Sequence, residues 1–202
     1  MSAGPDSSER GLWETDSELH GPAFESPPSP PPRLVMFGAV PLAAALCSVG
    51  RAAGWAPYVV DPRARFAVAE RFVGAERVIV AWPAQAVAEL GGLDAVPSAV
   101  LALAHDPQLD DPALVLALRS EAVFVGAMGS RRNQARRRER LLGEGLSGAE
   151  ASRLAGPIGL DTGAATAAEA AVAIVAEIVA VRNRRSGGRL SEAEGSVRGT
   201  VV

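Results

Sequence analysis

The chain has 202 residues, a formal net charge of −3 and a hydrophobic content of 48%, which suits one folded domain with its own core. That charge gives no reason to expect binding to nucleic acid or to an anionic membrane. A single cysteine, Cys47, excludes an intramolecular disulfide framework, and no apolar run is long enough to span a bilayer. Because the first residues are acidic and polar rather than a secretory signal, we expect a cytoplasmic protein.

Residues 1–32 differ in composition from the rest of the chain. Six acidic residues accompany a single arginine, and the zone ends in a proline-rich run at 26–32. Proline removes backbone donors and favours extended structure, so we predict a disordered, acidic leader here. Residues 186–202 are predicted to be a flexible tail, which leaves residues 33–185 as the folded domain.

From residue 33 onward, short apolar runs alternate with segments of helical pattern. The predicted strands cover 34–37, 56–60, 77–82, 98–104 and 122–127. The predicted helices cover 41–53, about 66–71, 83–91, 112–119, 131–142 and 167–184, with a short one after Ser147. Prolines or capping residues begin most of these helices. The irregular loop at 156–163 is predicted to hold a short sixth strand.

Strands that alternate with helices predict an α/β fold, a doubly wound and mostly parallel Rossmann-like sheet with helices on both faces. A strand order of 3-2-1-4-5 places strands one and four side by side where the order reverses. Ligands bind to such sheets beyond the carboxyl ends of the strands at this point. The loops after strands one, four and five are therefore predicted to converge on one edge.

The first strand leads into a turn, Gly38-Ala39-Val40, and then a helix, as at the start of a dinucleotide-binding βαβ unit. The usual pattern is G-x-G-x-x-G/A. Gly38 and Ala43 occupy its first and third places, but Val40 occupies the second. Its branched side chain stands where the pyrophosphate would lie, which weakens the prediction that the turn binds NAD(P).

Asp61 lies 23 residues after Gly38, at the end of the second predicted strand. A carboxylate at this position would accept hydrogen bonds from the 2′-hydroxyl of a ribose. The alternative is that Asp61 only ends the strand in a turn. Arg63 and Arg65 follow, and they could instead bind a phosphate.

His105 and Asp106 follow the fourth predicted strand. His105 is the only histidine of the predicted domain, and histidine titrates near neutral pH. One interpretation is that His105 and Asp106 bind a ligand or transfer protons. The other is that Asp106 and Asp110 cap the next helix while His105 only completes a hydrogen-bond pattern.

The most distinctive loop follows the fifth predicted strand. Gly126 and Gly129 permit close backbone approach, and Ser130 can cap the following helix. Arg131 and Arg132 add donors that suit a phosphate, so we predict phosphate or pterin-phosphate binding by this loop. The alternative is a capped helix with a solvated arginine face, which suits the arginines at 136, 137, 138 and 140.

Asp161 lies in the glycine-rich loop at 156–163. Its carboxylate is predicted either to reach the same edge of the sheet or to brace its own loop by accepting hydrogen bonds from backbone N–H groups. The first role would add Asp161 to the ligand site, and the second would make it a structural residue.

Six segments of the chain together resemble one known family. They are 34–43, Val60-Asp61-Pro62-Arg63, Val80-Ala81-Trp82-Pro83, the run from His105 to Leu114, the run from Phe124 to Arg132, and Gly156-Pro157-Ile158-Gly159-Leu160-Asp161. In this order they resemble the Rossmann-like domain of the XdhC/CoxI family. Those proteins are maturation factors for molybdenum hydroxylases such as xanthine dehydrogenase and carbon monoxide dehydrogenase. The resemblance covers about residues 33–185.

The resemblance implies a non-catalytic accessory protein that binds a molybdopterin-type cofactor, protects it during sulfuration and delivers it to an apo-hydroxylase. A sulfurtransferase and a second copy of the chain are further partners that the resemblance leaves open. The family usually has glycine where this chain has Val40, and many members carry an amino-terminal domain before the Rossmann unit.

Two other functions stay open at this point. One is an NAD(P)-dependent oxidoreductase, although the chain has no lysine for a Tyr/Lys or Ser/Lys catalytic pair. The other is a degenerate member of the family that acts only as a protein-interaction scaffold.

Overall fold

The structure is a computed structural model, and it describes residues 30–192. Most of the predicted leader, up to residue 29, and the tail from residue 193 lie outside the described residues. Six strands form one parallel sheet in the order β3-β2-β1-β4-β5-β6. The strands are β1 (Arg33–Phe37), β2 (Ala56–Val60), β3 (Arg77–Ile79), β4 (Ser98–Ala102), β5 (Phe124–Ala127) and β6 (Leu154–Ala155). The order reverses between β1 and β4, so the predicted doubly wound sheet is confirmed.

Helices connect the strands and follow the last of them. They are α1 (Pro41–Ala52), α2 (Pro83–Glu89), α3 (Pro107–Leu118), α4 (Arg131–Gly143), α5 (Gly148–Ser152) and α6 (Ala167–Arg182). Single 3₁₀ turns lie at Ala69–Arg71 and Leu190–Glu192. Capping boxes begin α5 at Ser147 and α6 at Thr166, as their sequences predict.

The third, fourth and fifth strands are shorter than predicted, and three further elements differ from the structure in start, position or type. Helix α3 begins at Pro107 rather than Pro112, because the Asp106 carboxylate accepts a hydrogen bond from the Gln108 N–H and caps the helix there. The predicted sixth strand precedes the 156–163 loop rather than lying within it. The predicted helix near 66–71 is only the 3₁₀ turn at its end.

The core lies on both faces of the sheet. Leu34 and Met36 of β1 pack on the side of α1 and α6, whereas Val35 and Phe37 pack on the side of α2, α3 and α4. This alternation is the two-residue period of a strand that is buried on both faces. The apolar stripe predicted for the last helix is buried at each of its positions, which are Ala171, Ile174, Val175 and Ile178.

Candidate functional site

The loops after β1, β4 and β5 lie next to one another at the carboxyl edge of the sheet. Gly38 has a φ of 118°, and a Cβ atom built on it would lie 2.7 Å from the backbone nitrogen of Ala104. The Met128 N–H donates a 3.0 Å hydrogen bond to the carbonyl of Ala102. The loop after β1 and the loop after β4, below called the first and fourth loops, therefore approach so closely that only glycine fits at position 38, whatever ligand the edge binds.

Asp61 closes the first turn. Its side chain is fully buried, and its Oδ2 atom accepts a 2.9 Å hydrogen bond from the Ala39 N–H. Oδ1 accepts bonds from the backbone N–H and the Nε of Arg63, and Oδ2 accepts a further one from Arg63 Nη2. Burial would raise the pKa of Asp61, but these hydrogen bonds and the Arg63 charge outweigh it and lower the pKa.

The N–H groups of the first turn are also engaged. The Gly38 N–H donates to the carbonyl of Val60, the Val40 N–H donates to the carbonyl of Gly38, and Pro41 has no N–H. The Val40 side chain is half-buried and packs against the core on the α1 side. The backbone of this turn therefore resembles that of a dinucleotide site, but its N–H groups at 38–40 donate to acceptors within the chain.

The fourth loop gives its residues separate roles. His105 is exposed and has a φ of 57°, a left-handed conformation that costs roughly 1–2 kcal/mol for a residue other than glycine. Asp106 caps α3, so the second of its two predicted roles is the one that the structure contains. Asp110 does not cap the helix, because it is buried and accepts a 3.2 Å hydrogen bond from the Ala104 N–H.

A buried ion pair between α3 and α4 links the loops that precede these helices, which follow β4 and β5. Arg137 Nη2 lies 3.2 Å from Asp110 Oδ2, and the two side chains are 5% and 1% exposed. Arg137 Nη1 also donates to the carbonyl of Met128 and to Gln134 Oε1. Burial raises the pKa of Asp110, although the neighbouring Arg137 charge and the Ala104 N–H oppose the rise. The network fixes the two loops relative to each other.

The prediction of a solvated arginine face is therefore wrong for Arg137, whereas Arg140 is 41% exposed although it makes an ion pair. Arg137 is buried, and Arg140 binds the Asp111 carboxylate through its Nε and Nη2 atoms. The sequence contained a signal for the first of these. Arg137 lies four residues before Leu141, which is fully buried, so the helical period places both on the inner face.

The amino terminus of α4 carries cations that have no partner in the described part of the chain. Ser130 caps the helix by accepting a 3.3 Å hydrogen bond from the Asn133 N–H, and Gly129 has a φ of 131°. Arg131 and Arg132 follow as the first two helical residues, both exposed. The first turn has no acidic residue, and the helix dipole disfavours cations there. An anion at this end would therefore be stabilised by both the arginines and the helix.

Gly126 has a packing role in the structure and Asp161 does not brace its loop, while their binding to a ligand stays a prediction. Gly126 is buried within β5, and a Cβ atom on it would overlap Ile158 and the Phe124 ring, so it makes room for the 156–163 loop. Asp161 is exposed and makes no hydrogen bond within residues 30–192. The prediction that Asp161 braces its loop is wrong, since Glu177 of α6 does so by accepting a 2.6 Å bond from the Gly159 N–H.

Metal-binding and membrane-spanning features are absent from the described residues. Between residues 30 and 192, no three His, Cys, Asp or Glu side chains lie together in a group that could hold a metal ion. Over the same range, no helix has the length and apolar character to cross a membrane. Burial raises the pKa of the Cys47 thiol to about 11, as in a structural core cysteine.

Comparison with known proteins identifies relatives over most of the chain. The family model of the XdhC Rossmann domain matches residues 34–178. A Bacillus subtilis (strain 168) protein, named as a probable xanthine dehydrogenase subunit, is 30% identical over 89% of this chain and 54% of that protein. A crystal structure described as a xanthine dehydrogenase from Bacillus halodurans is 27% identical with a TM-score of 0.64, over 82% of this chain and 46% of that one. The chain thus spans about half the length of these relatives.

Proposed function

The chain belongs to the XdhC family, and from that premise we propose that it is an accessory protein for a molybdenum hydroxylase of the xanthine dehydrogenase type. We propose further that it binds a molybdopterin-type cofactor at the carboxyl edge of its sheet and delivers it to the apo-enzyme. The names of the two relatives, both of which refer to xanthine dehydrogenase, support the choice of client.

The observation that carries the cofactor part of the proposal is the start of α4. A molybdopterin ends in a phosphate, and a phosphate suits a helix terminus at which two arginines have no other partner among residues 30–192. Gly129, just before this terminus, has a φ of 131°, a conformation that favours glycine. The residues present therefore fit the phosphate of the cofactor.

Residues 129–132 would hold the phosphate, and the exposed His105 would line the same edge. When bound in its client, the cofactor supplies the molybdenum centre that hydroxylates the substrate. The present chain would bind and orient the cofactor through its phosphate, at the start of α4. A sulfurtransferase partner, a homodimer and a cytoplasmic location belong to the same proposal.

Co-elution with the cofactor tests the proposal. The full chain is incubated with molybdenum cofactor released from a hydroxylase and passed over a size-exclusion column, and the pterin is measured by fluorescence after oxidation. We expect pterin in the protein peak of the wild type and a loss of about tenfold or more when Arg131 and Arg132 are both replaced by alanine.

The matched control replaces Arg136 and Arg138 by alanine. These two arginines lie on the same helix and are exposed, but they lie beyond its first turn. Their replacement removes the same charge as the replacement of Arg131 and Arg132. The control variant should retain the pterin. Absence of pterin from the wild-type peak would refute cofactor binding, and an equal loss in both variants would show that only general charge attraction holds the cofactor.

A further inference from the structure

The Asp61 carboxylate has no acceptor site left for a ligand. A carboxylate accepts about four hydrogen bonds. Asp61 accepts four within the chain, three of them from Arg63 and one from the Ala39 N–H, at 2.8 to 3.0 Å. With no part of its side chain exposed, a ribose diol could reach it only by displacing Arg63.

Arg63, whose side chain is 37% exposed, makes several contacts that a ligand would have to break. Its Nε and Nη2 atoms bind the two oxygens of Asp61 side by side, the paired geometry that makes arginine–carboxylate contacts strong. Its guanidinium also lies 4.7 Å from the centre of the Phe66 ring. Arg65 lies 4.6 Å from the same ring, but it is exposed and does not bind Asp61.

The N–H groups of residues 38–40, in the turn below this pair, are already engaged within the chain. The N–H groups of Gly38, Ala39 and Val40 donate to Val60, Asp61 and Gly38, in that order. An NAD site uses free backbone N–H groups at this turn and a carboxylate at the end of the second strand that binds the ribose, whereas a nearby arginine suits the 2′-phosphate of NADP. Here the Asp61 carboxylate accepts a hydrogen bond from one of those N–H groups, and Arg63 donates to both oxygens of the carboxylate.

We infer that the Asp61–Arg63 pair is a specificity determinant that closes the first turn to NAD(H), whose adenosine ribose would need the Asp61 carboxylate. Val40, which stands at the second glycine place, is then an additional obstacle rather than the cause. Only the first turn is involved, so the exclusion of NAD(H) holds or fails independently of cofactor binding at α4.

Titration of the full chain with NADH, followed by calorimetry and by NADH fluorescence, tests the inference. We expect no saturable binding up to about 1 mM for the wild type or for Val40→Gly, because the pair stays closed in both. Val40→Gly combined with Arg63→Met removes the two hydrogen bonds from the Arg63 side chain, which opens two acceptor positions on Asp61, and keeps an apolar stem over Phe66. This double variant should bind NADH at least about tenfold more tightly than Val40→Gly alone, as expected for hydrogen bonds to a charged group.

Two controls identify the carboxylate as the group released. Val40→Gly with Arg65→Met removes a neighbouring arginine that does not bind Asp61, and it should behave like Val40→Gly. Adding Asp61→Asn to the Val40→Gly, Arg63→Met variant should abolish the gain.

Three results would overturn the inference. They are a wild-type Kd for NADH below about 100 μM, a gain of binding by Val40→Gly alone, and an unchanged affinity in a folded Arg63→Met double variant. If circular dichroism shows that the Arg63 variants do not fold, the first two measurements decide the question.

Discussion

Replacement of Arg137 with methionine should be strongly destabilising. The substitution keeps the apolar stem but removes the 3.2 Å ion pair with Asp110 and the hydrogen bonds to the Met128 carbonyl and to Gln134. Since both charged side chains are at least 95% buried, the Asp110 carboxylate would remain unpaired in the interior. Breaking a buried pair in this way costs about 3–5 kcal/mol. This is a large part of the total stability of a domain of this size.

The loss should depend on pH in a definite direction. The pKa of Asp110 is already raised in the folded wild type, and without Arg137 it rises further. A carboxyl whose pKa is higher in the folded than in the unfolded state binds more protons when folded, so stability falls as pH rises through the interval between the two values. The variant should therefore lose more stability at pH 8 than at pH 5, where the carboxyl can be neutral.

Urea unfolding at pH 8 and pH 5, followed by circular dichroism, measures both effects. Arg140→Met is the matched control, because the side chains of Arg140 and its partner Asp111 are 41% and 11% exposed, so breaking this partly solvated pair should cost less than breaking the Arg137–Asp110 pair. Adding Asp110→Asn to Arg137→Met should recover much of the loss. A cost below about 1 kcal/mol, or a cost equal at both pH values, would refute the view that Asp110 stays buried as a paired charge.

Three further predictions concern single features. Replacing Arg131 and Arg132 by alanine should raise the unfolding free energy by about 0.3–1 kcal/mol each, because cations at the start of α4 oppose the helix dipole, and it should weaken phosphate binding. Thermal unfolding at low salt measures the change in stability, and a destabilised double variant would contradict the prediction. Gly126→Ala should cost about 1–3 kcal/mol by overpacking against Ile158, measured by urea unfolding, whereas an unchanged midpoint would show that the 156–163 loop moves freely. The Cys47 thiol is buried and its pKa is about 11, so it should react with iodoacetamide at pH 8 only as the protein unfolds. Fast alkylation of the native protein would show instead that α1 opens locally.

Local patterns in the sequence were sufficient to predict the fold. The second strand, 56–60, and the capping boxes at Ser147 and Thr166 agree with the structure, because strand periodicity and capping depend on residues a few positions apart. The same local logic misplaced the start of α3. Pro112 is a common first residue of a helix, but the Asp106 cap and Pro107 already begin it five residues earlier.

The chemistry of the loops depended on contacts between residues far apart in the chain. Arg137 and Arg138 are neighbours in an arginine-rich run, yet only Arg137 faces inward, where its partner Asp110 comes from a helix 27 residues earlier. A difference of about 100° around the helix axis separates a buried ion pair from an exposed cation.

The sequence by itself determined that a glycine turn, an acidic residue after the second strand and two arginines at a helix start would meet at one edge of a parallel sheet. Only the tertiary structure decided which of these groups remain available to a ligand. Asp61 is fully bonded to Arg63 and Ala39, whereas Arg131 and Arg132 have no partner within residues 30–192. The physical reason is that a polar side chain satisfies its hydrogen bonds with whatever lies within about 3 Å, and that distance is set by packing rather than by local sequence.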